Sequence, residues 1–306
     1  MDYIELYNIF LIIRRKNKKE KDMIDTPSPL RYPGGKTILY KKIKNILEKN
    51  NLIECTYMEH FSGGAGLALK LLMNNDVKRI VINDLDFAIY SFWHNVLYDT
   101  DKFCNDIENI KVDLEEWEKQ KYIYNNQNNY SMYEVGLATF FLNRTNRSGI
   151  IKGGVIGGKK QEGKYKIDCR FNKKVLIEKI KKIGMYRNRI KLFNYDANDF
   201  IKRVVMRQKN ENFFIYFDPP YIKKGPELYK NHFNNEEHKY LSTNIKEKLF
   251  EKNWIVTYDK NELVQKLYDN FCIVEFDLNY SAGKNKTGNE LMILSNSLVS
   301  SNSDIL

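Results

Sequence analysis

Cysteine, histidine and proline are all scarce in this 306-residue chain, at four, four and six residues. Cys55, Cys104, Cys169 and Cys272 are scattered, with no two of them in a CxxC pair. That spacing argues against both a structural zinc site and a disulfide framework. His60, His94, His232 and His238 show no close pairing of the kind a metal site uses, although folding could bring distant ones together; no metal is expected. A reducing cytoplasm is the natural setting. Long hydrophobic runs are missing too. The apolar stretch from Tyr7 to Ile13 is too short to cross a bilayer. Positive charge follows it, at Arg14-Arg15-Lys16-Asn17-Lys18-Lys19, whereas a secretory signal carries charge in front. No membrane partner is expected. Residues 1–22 read as a peripheral extension, and Met23, just upstream of the first strong motif, is an alternative start.

What is abundant is apolar and basic. Hydrophobic residues make up 42% and aromatics 13%, enough for one large α/β domain with an inserted subdomain. The net charge is +11 and the pI about 9.2, the electrostatic footprint of a nucleic-acid binder. Abundant Asn and Lys with little Pro also fit an AT-rich coding bias, so charge alone does not identify a partner.

The strongest local signal is Phe213-Phe214-Ile215-Tyr216-Phe217 followed by Asp218-Pro219-Pro220-Tyr221. A short, continuously apolar, aromatic-rich run stopped by two prolines predicts a buried strand and a stiff, extended exit. A carboxylate and an aromatic ring are thereby held at the carboxyl end of a strand, where open α/β sheets bind ligands. Upstream, Arg31-Tyr32-Pro33-Gly34-Gly35-Lys36 precedes a helical pattern through Ile38, Leu39, Ile43, Ile46 and Leu47. Its Pro-Gly-Gly turn permits close backbone approach by a ligand. A cation at a helix start is unfavourable against the helix dipole, which hints that Lys36 is aimed at something specific. Residues 55–60 read as a strand running into Phe61-Ser62-Gly63-Gly64-Ala65-Gly66 and a helix. The next strand, Arg79 to Ile82, ends at Asn83-Asp84. Asp84 lies about 20 residues beyond the glycine loop, where doubly wound folds place the acid that takes ribose hydroxyls. It is alternatively a cap for the helix beginning at Asp86.

In this order, the segments Arg31 to Lys36, Phe61 to Gly66, Asn83-Asp84 and Asp218 to Tyr221 resemble the motifs of the Dam-like DNA adenine-N6 methyltransferases of the alpha group, over roughly residues 28–296. The resemblance implies an α/β fold: a Rossmann-like, S-adenosylmethionine-dependent methyltransferase sheet with an inserted, mostly helical target-recognition region. It implies S-adenosyl-L-methionine as cofactor, contacted by Tyr32, Lys36, Phe61, Ser62, Gly63, Gly64, Asp84 and Asp218. It assigns Asp218, Pro219 and Tyr221 to catalysis. A carboxylate and a proline carbonyl would accept the two N–H bonds of an exocyclic amine while Tyr221 stacks on a flipped adenine.

The expected division is 23–98 and 186–298 for the catalytic part and 99–185 for the inserted region. In that insert, helical patterns flank Asn125 to Tyr130. Glycines, basic residues and amides then interleave from Asn143 to Asn172, a mixture suited to phosphate contact and base-edge readout. Asn143, Arg144, Arg147, Lys159, Lys160, Arg170 and Asn172 are the expected DNA-binding residues. The βα pattern resumes at Ile190 and closes with a strand pair, Phe271 to Phe276 and Glu290 to Ser295. Ser281 to Gly288 reads as a flexible basic loop, and the chain after Ser295 as frayed. Double-stranded DNA is the expected partner of a monomer, which acts either beside a separate cognate restriction endonuclease or as a solitary regulatory or mobile-element methylase. An RNA base-amine methyltransferase and a catalytically silent DNA-binding protein are the competing readings.

Overall fold

The computed structural model describes residues 26–32, 34–208, 212–222, 233–280 and 286–298. The expectations for residues 1–22, Met23, Pro33, His232 and Ser281 to Asn285 lie outside them.

The fold is built on strand β4 (Phe213–Phe217), all five residues of which are buried. Side chains alternate across a strand, so β4 serves two cores. Phe214 and Tyr216 join one hydrophobic cluster, and Phe213, Ile215 and Phe217 join the other. A strand buried on both faces belongs in the middle of a parallel sheet, and β4 is there. It pairs in parallel with β1 (Thr56–Glu59), Thr56 opposite Phe213 and Glu59 opposite Tyr216. On its other side it pairs with β5 (Asn253–Asp259), Phe217 opposite Val256. The seven-stranded order is β3-β2-β1-β4-β5-β7-β6, with β2 at Arg79–Asn83 and β3 at Ile190–Phe193. The closing pair, β6 (Cys272–Tyr280) and β7 (Lys286–Leu294), is antiparallel, and β7 lies between β5 and β6. The strand order reverses between β1 and β4, so their carboxyl ends open a crevice at the switch point.

Helices cover both faces. One face carries α1 (Tyr40–Lys49), α2 (Gly66–Met73) and α3 (Phe87–Tyr98, capped by the Asp86 carboxylate). The insert follows as α4 (Thr100–Asn109), α5 (Leu114–Asn125), α6 (Met132–Thr145) and α7 (Lys173–Gly184). It is mostly helical, as expected, but it has no core of its own. Phe103, Trp117, Phe140 and Ile180 belong to the same cluster as Tyr57 and Phe214 of the sheet. The join is tight because Gly136 of α6 lies against α3, where a Cβ would stand 2.5 Å from the Ser91 carbonyl oxygen. The opposite face carries α8 (Ala197–Phe200, continued by a π-helical turn through Val205), α9 (Asn235–Lys248) and α10 (Glu262–Leu267). The expected fraying after Ser295 is not found as far as Leu298. That side chain is buried in the core, and Ser297 Oγ donates to the Lys252 carbonyl at 2.7 Å. Among the described residues, no helix is long and apolar enough to cross a membrane.

Candidate active site

Asp218 sits one residue past the end of β4, at the mouth of the crevice. Both carboxylate oxygens are engaged. Lys36 Nζ lies 2.7 Å from Oδ2, and Thr257 Oγ1 donates to Oδ1 at 2.8 Å. The pair is largely shielded, with side-chain exposures of 4% for Lys36 and 17% for Asp218, so each charge depends on the other. Lys36 Nζ also donates to the Gly34 carbonyl at 3.0 Å and stands 4.8 Å from the centre of the Tyr221 ring. The mismatch between a lysine and a helix start is thereby explained. Lys36 opens a short 3-10 helix and reaches 182 residues along the chain to the carboxylate of Asp218. Tyr221 is buried, and burial together with Asp218 and Glu290 keeps its phenol well above the usual tyrosine range.

The glycine loop leaves the carboxyl end of β1 next to this pair. Gly63 adopts φ of 43° and Ala65 φ of 45°, left-handed conformations that glycine tolerates and alanine resists. The Tyr32 ring lies directly on the loop, since a Cβ at Gly63 would stand 2.4 Å from it and one at Gly64 2.8 Å from the Tyr32 Cβ. The loop is pinned from two sides. Trp93 Nε1 donates to the Gly63 carbonyl at 2.8 Å, and Gly63 N donates to Asp84 Oδ2 at 2.8 Å. Asp84 Oδ1 accepts from Asp86 N at 2.9 Å, while the cap of α3 is Asp86 itself. Asn83 ties three strand ends together: its amide donates to the carbonyls of His60 and Tyr195 and accepts from Tyr195 N.

Two acids here are held partly neutral. Burial, then the nearby Asp218, pushes Glu59 up to about 8, and its Oε2 has no hydrogen-bond partner among the described residues. Burial, then Asp86, pushes Asp84 up to about 7. A carboxylate in that state gains most from donors that favour its charged form, and the paired hydroxyls of a ribose are such donors. Asp84, the bent glycine loop and the Tyr32 face therefore fit a nucleoside-bearing cofactor.

The expected DNA-binding residues differ in exposure. Arg147, Lys159, Lys160, Arg170 and Asn172 are exposed. Lys159 is paired with Glu118 at 2.8 Å, and Asn172 caps α7. Asn143 is a correction. It is fully buried, its Oδ1 accepts from Arg31 N at 2.8 Å, and its Nδ2 donates to the carbonyls of Arg31 and Gly149. With its amide spent on backbone it reads no base; it fastens the segment before the Pro-Gly-Gly turn to α6. Arg144 is intermediate, donating to the Arg170 and Pro29 carbonyls. Burial, then Arg31 and Arg170, lowers its pKa to about 10. Sequence reasoning missed Thr257, Tyr216, Glu59 and Trp93. Each lies in an ordinary strand or helix pattern and acquires its role through a distant partner.

The family model for D12 class N6 adenine-specific DNA methyltransferases matches residues 32–282. The chain belongs to this family. Its chemistry is therefore transfer of a methyl group from S-adenosylmethionine to the N6 amine of adenine in DNA. Among curated proteins, the chain is similar to the type II methyltransferase M.MjaIII of Methanocaldococcus jannaschii, with 27% identity over 212 residues. The match covers 63% of this chain and 68% of that one. Among solved structures it is similar to M. capricolum TrmK in complex with S-adenosyl-homocysteine, at 10% identity and a TM-score of 0.34, covering 84% of this chain and 72% of that one.

Proposed function

We propose that this DNA adenine methyltransferase acts on a base flipped out of the duplex and held between Tyr221 and the Asp218 carboxylate. The observation that carries this reading is the Lys36–Asp218 contact, which with Tyr32 lying on the glycine loop brings the Tyr32 to Lys36 segment, that loop and Asp218 together. A stacked adenine cannot present its amine there, so flipping is required. The amine is a poor nucleophile because its lone pair is delocalised into the ring. Asp218 and the Pro219 carbonyl accept its two N–H bonds, which favours a more tetrahedral nitrogen with its lone pair localised and oriented for attack. S-adenosylmethionine would supply the electrophilic methyl group and leave as S-adenosylhomocysteine, and the methylated amine would shed one N–H proton to water. Tyr32, Phe61, Ser62, Gly63 and Gly64 would hold its methionine part, and Asp84 would take the ribose hydroxyls. Lys36, expected to touch the cofactor, acts through Asp218 by fixing its orientation. The rate comes from alignment and from preorganised charge around the amine.

Residues 99–185 form the target-recognition region. Arg147, Lys160 and Arg170 are placed to meet phosphate or base edges. Burial, then the Arg170 charge, lowers the pKa of Arg31, and burial, then the charges of Arg31 and Arg170, lowers that of Arg144; a phosphate beside the three would offset their repulsion. The enzyme works as a monomer in a restriction-modification pair, its cognate endonuclease acting separately. The test is Asp218→Ala, assayed by mass spectrometry of nucleosides from unmethylated genomic DNA and an RNA control. N6-methyladenine is expected in DNA with wild type and not with the variant. Near-normal turnover by Asp218→Ala would remove the central residue from the mechanism.

A further inference from the structure

The Asp218 carboxylate is anchored from inside the sheet as well as by Lys36. Phe217 pairs with Val256 across the parallel β4–β5 ladder, so the next step of the register sets Asp218 beside Thr257. Residues two apart share a face, which puts Tyr216 and Asp218 on the same side of β4. The outcome is a chain of hydroxyls: Tyr216 OH is 2.8 Å from Thr257 Oγ1, which is 2.8 Å from Asp218 Oδ1. Tyr216 and Thr257 are both completely buried. The direction of the chain follows from counting protons. A carboxylate oxygen only accepts, so the single threonine proton goes to Asp218 and the Tyr216 phenol must donate to Thr257. Each member then has its need met in a dry interior, the condition under which such chains impose geometry. Burial, and the negative charge of Asp218, keep the Tyr216 phenol protonated well above the usual range, so the donor persists at any working pH.

We infer that Thr257 and Tyr216 are positioning residues for methyl transfer. Through the hydroxyl chain they fix the plane of the Asp218 carboxylate, with Oδ1 held from within the sheet and Oδ2 by Lys36, so that its remaining lone pairs point at the target amine. This rests on the role given to Asp218 above.

The experiment compares Thr257→Val, Thr257→Ser, Tyr216→Phe and the Thr257→Val/Tyr216→Phe double variant in the full chain. It follows N6-methyladenine formation on unmethylated genomic DNA, with calorimetric binding of S-adenosylhomocysteine and thermal unfolding on the same preparations. Thr257→Val removes the hydroxyl at nearly constant shape. It is expected to lower kcat by about 10- to 100-fold, the usual effect of losing a hydrogen bond to a charged group, while KM and S-adenosylhomocysteine affinity change less than about threefold. Thr257→Ser restores most of the rate. Tyr216→Phe costs severalfold alone and nothing further on the Thr257→Val background, because it acts only through Thr257. The inference is overturned if Thr257→Val turns over like wild type, if Thr257→Ser is as impaired as valine, or if the two losses multiply. Should Thr257→Val not fold, Tyr216→Phe against wild type still decides, since an unchanged rate there breaks the chain. A wild-type protein that forms no N6-methyladenine would refute the functional reading. An active wild type with an unaffected Thr257→Val refutes the positioning role alone.

Discussion

Glu59 offers a test of the site's electrostatics that needs no DNA. It ends β1, opposite Tyr216, and its carboxyl is buried with Oε2 unpartnered among the described residues. Burial and the proximity of Asp218 push its pKa to about 8 from an ordinary 4.5. The folded protein therefore keeps a proton that the unfolded chain releases. That advantage is complete below about pH 4.5 and is lost as pH rises through about 8, because the unfolded state gains from ionisation first. At about 1.4 kcal/mol per pH unit the upper bound is roughly 5 kcal/mol. Internal relaxation reduces this, and about 2–3 kcal/mol is the working expectation. For a chain this long that is a fall of roughly 4–6 °C in Tm. The perturbation is Glu59→Gln, which keeps the shape and cannot ionise. Thermal unfolding of both proteins between pH 5 and pH 9 should show wild type losing stability steadily while the variant loses less. The curves should lie closest at pH 5, with the variant gaining towards pH 9. Asp84, also held above its ordinary pKa, leaves a residual slope in both. Parallel curves across the range would refute the reasoning, since Glu59 would then ionise in the fold as it does in water.

Lys36→Met should leave Asp218 buried without its cation, costing about 3–5 kcal/mol of stability, and abolish turnover. Adding Asp218→Asn should recover much of the stability and none of the activity, as read by chemical denaturation beside the methylation assay. Asn143→Ala should lower stability by about 1–3 kcal/mol, because the Arg31 and Gly149 backbone groups lose their buried partner, while the salt dependence of DNA affinity is unchanged. Arg147→Ala should do the reverse, weakening DNA binding and reducing the salt slope by about one, with Tm unchanged.

Much of the site was legible because its signals are local. A strand that runs apolar for five residues and stops at two prolines has few alternatives, and β4 is where the pattern put it. The glycine loop, and Asp84 about 20 residues on, follow from the short connections of a βα unit. The insert was harder to read. Asn143 lies between Leu142 and Arg144 in a polar-looking stretch, yet α6 is buried around most of its circumference, since α3, α5 and the segment before the Pro-Gly-Gly turn all pack on it. No periodicity within α6 reports that the chain near Arg31 will cover it. The expected separation between catalytic part and insert is likewise blurred by one shared core.

What the sequence determined by itself is the set of local conformations and the chemistry they carry: a two-faced central strand, a rigid Asp-Pro-Pro-Tyr exit, a bent glycine loop and an acid after the second strand. These depend on dihedral limits and hydrophobic pattern over fewer than ten residues. What only the tertiary structure decided is which side chains complete the site. The register of β4 against β5 brings Thr257 to Asp218, 39 residues away. The docking of the Pro-Gly-Gly segment brings Lys36 to the same carboxylate. The stacking of helices on the sheet removes Glu59 from water. Each of these depends on how separate elements come to rest against one another, and burial and charge pairing acquire their magnitude only once that has happened.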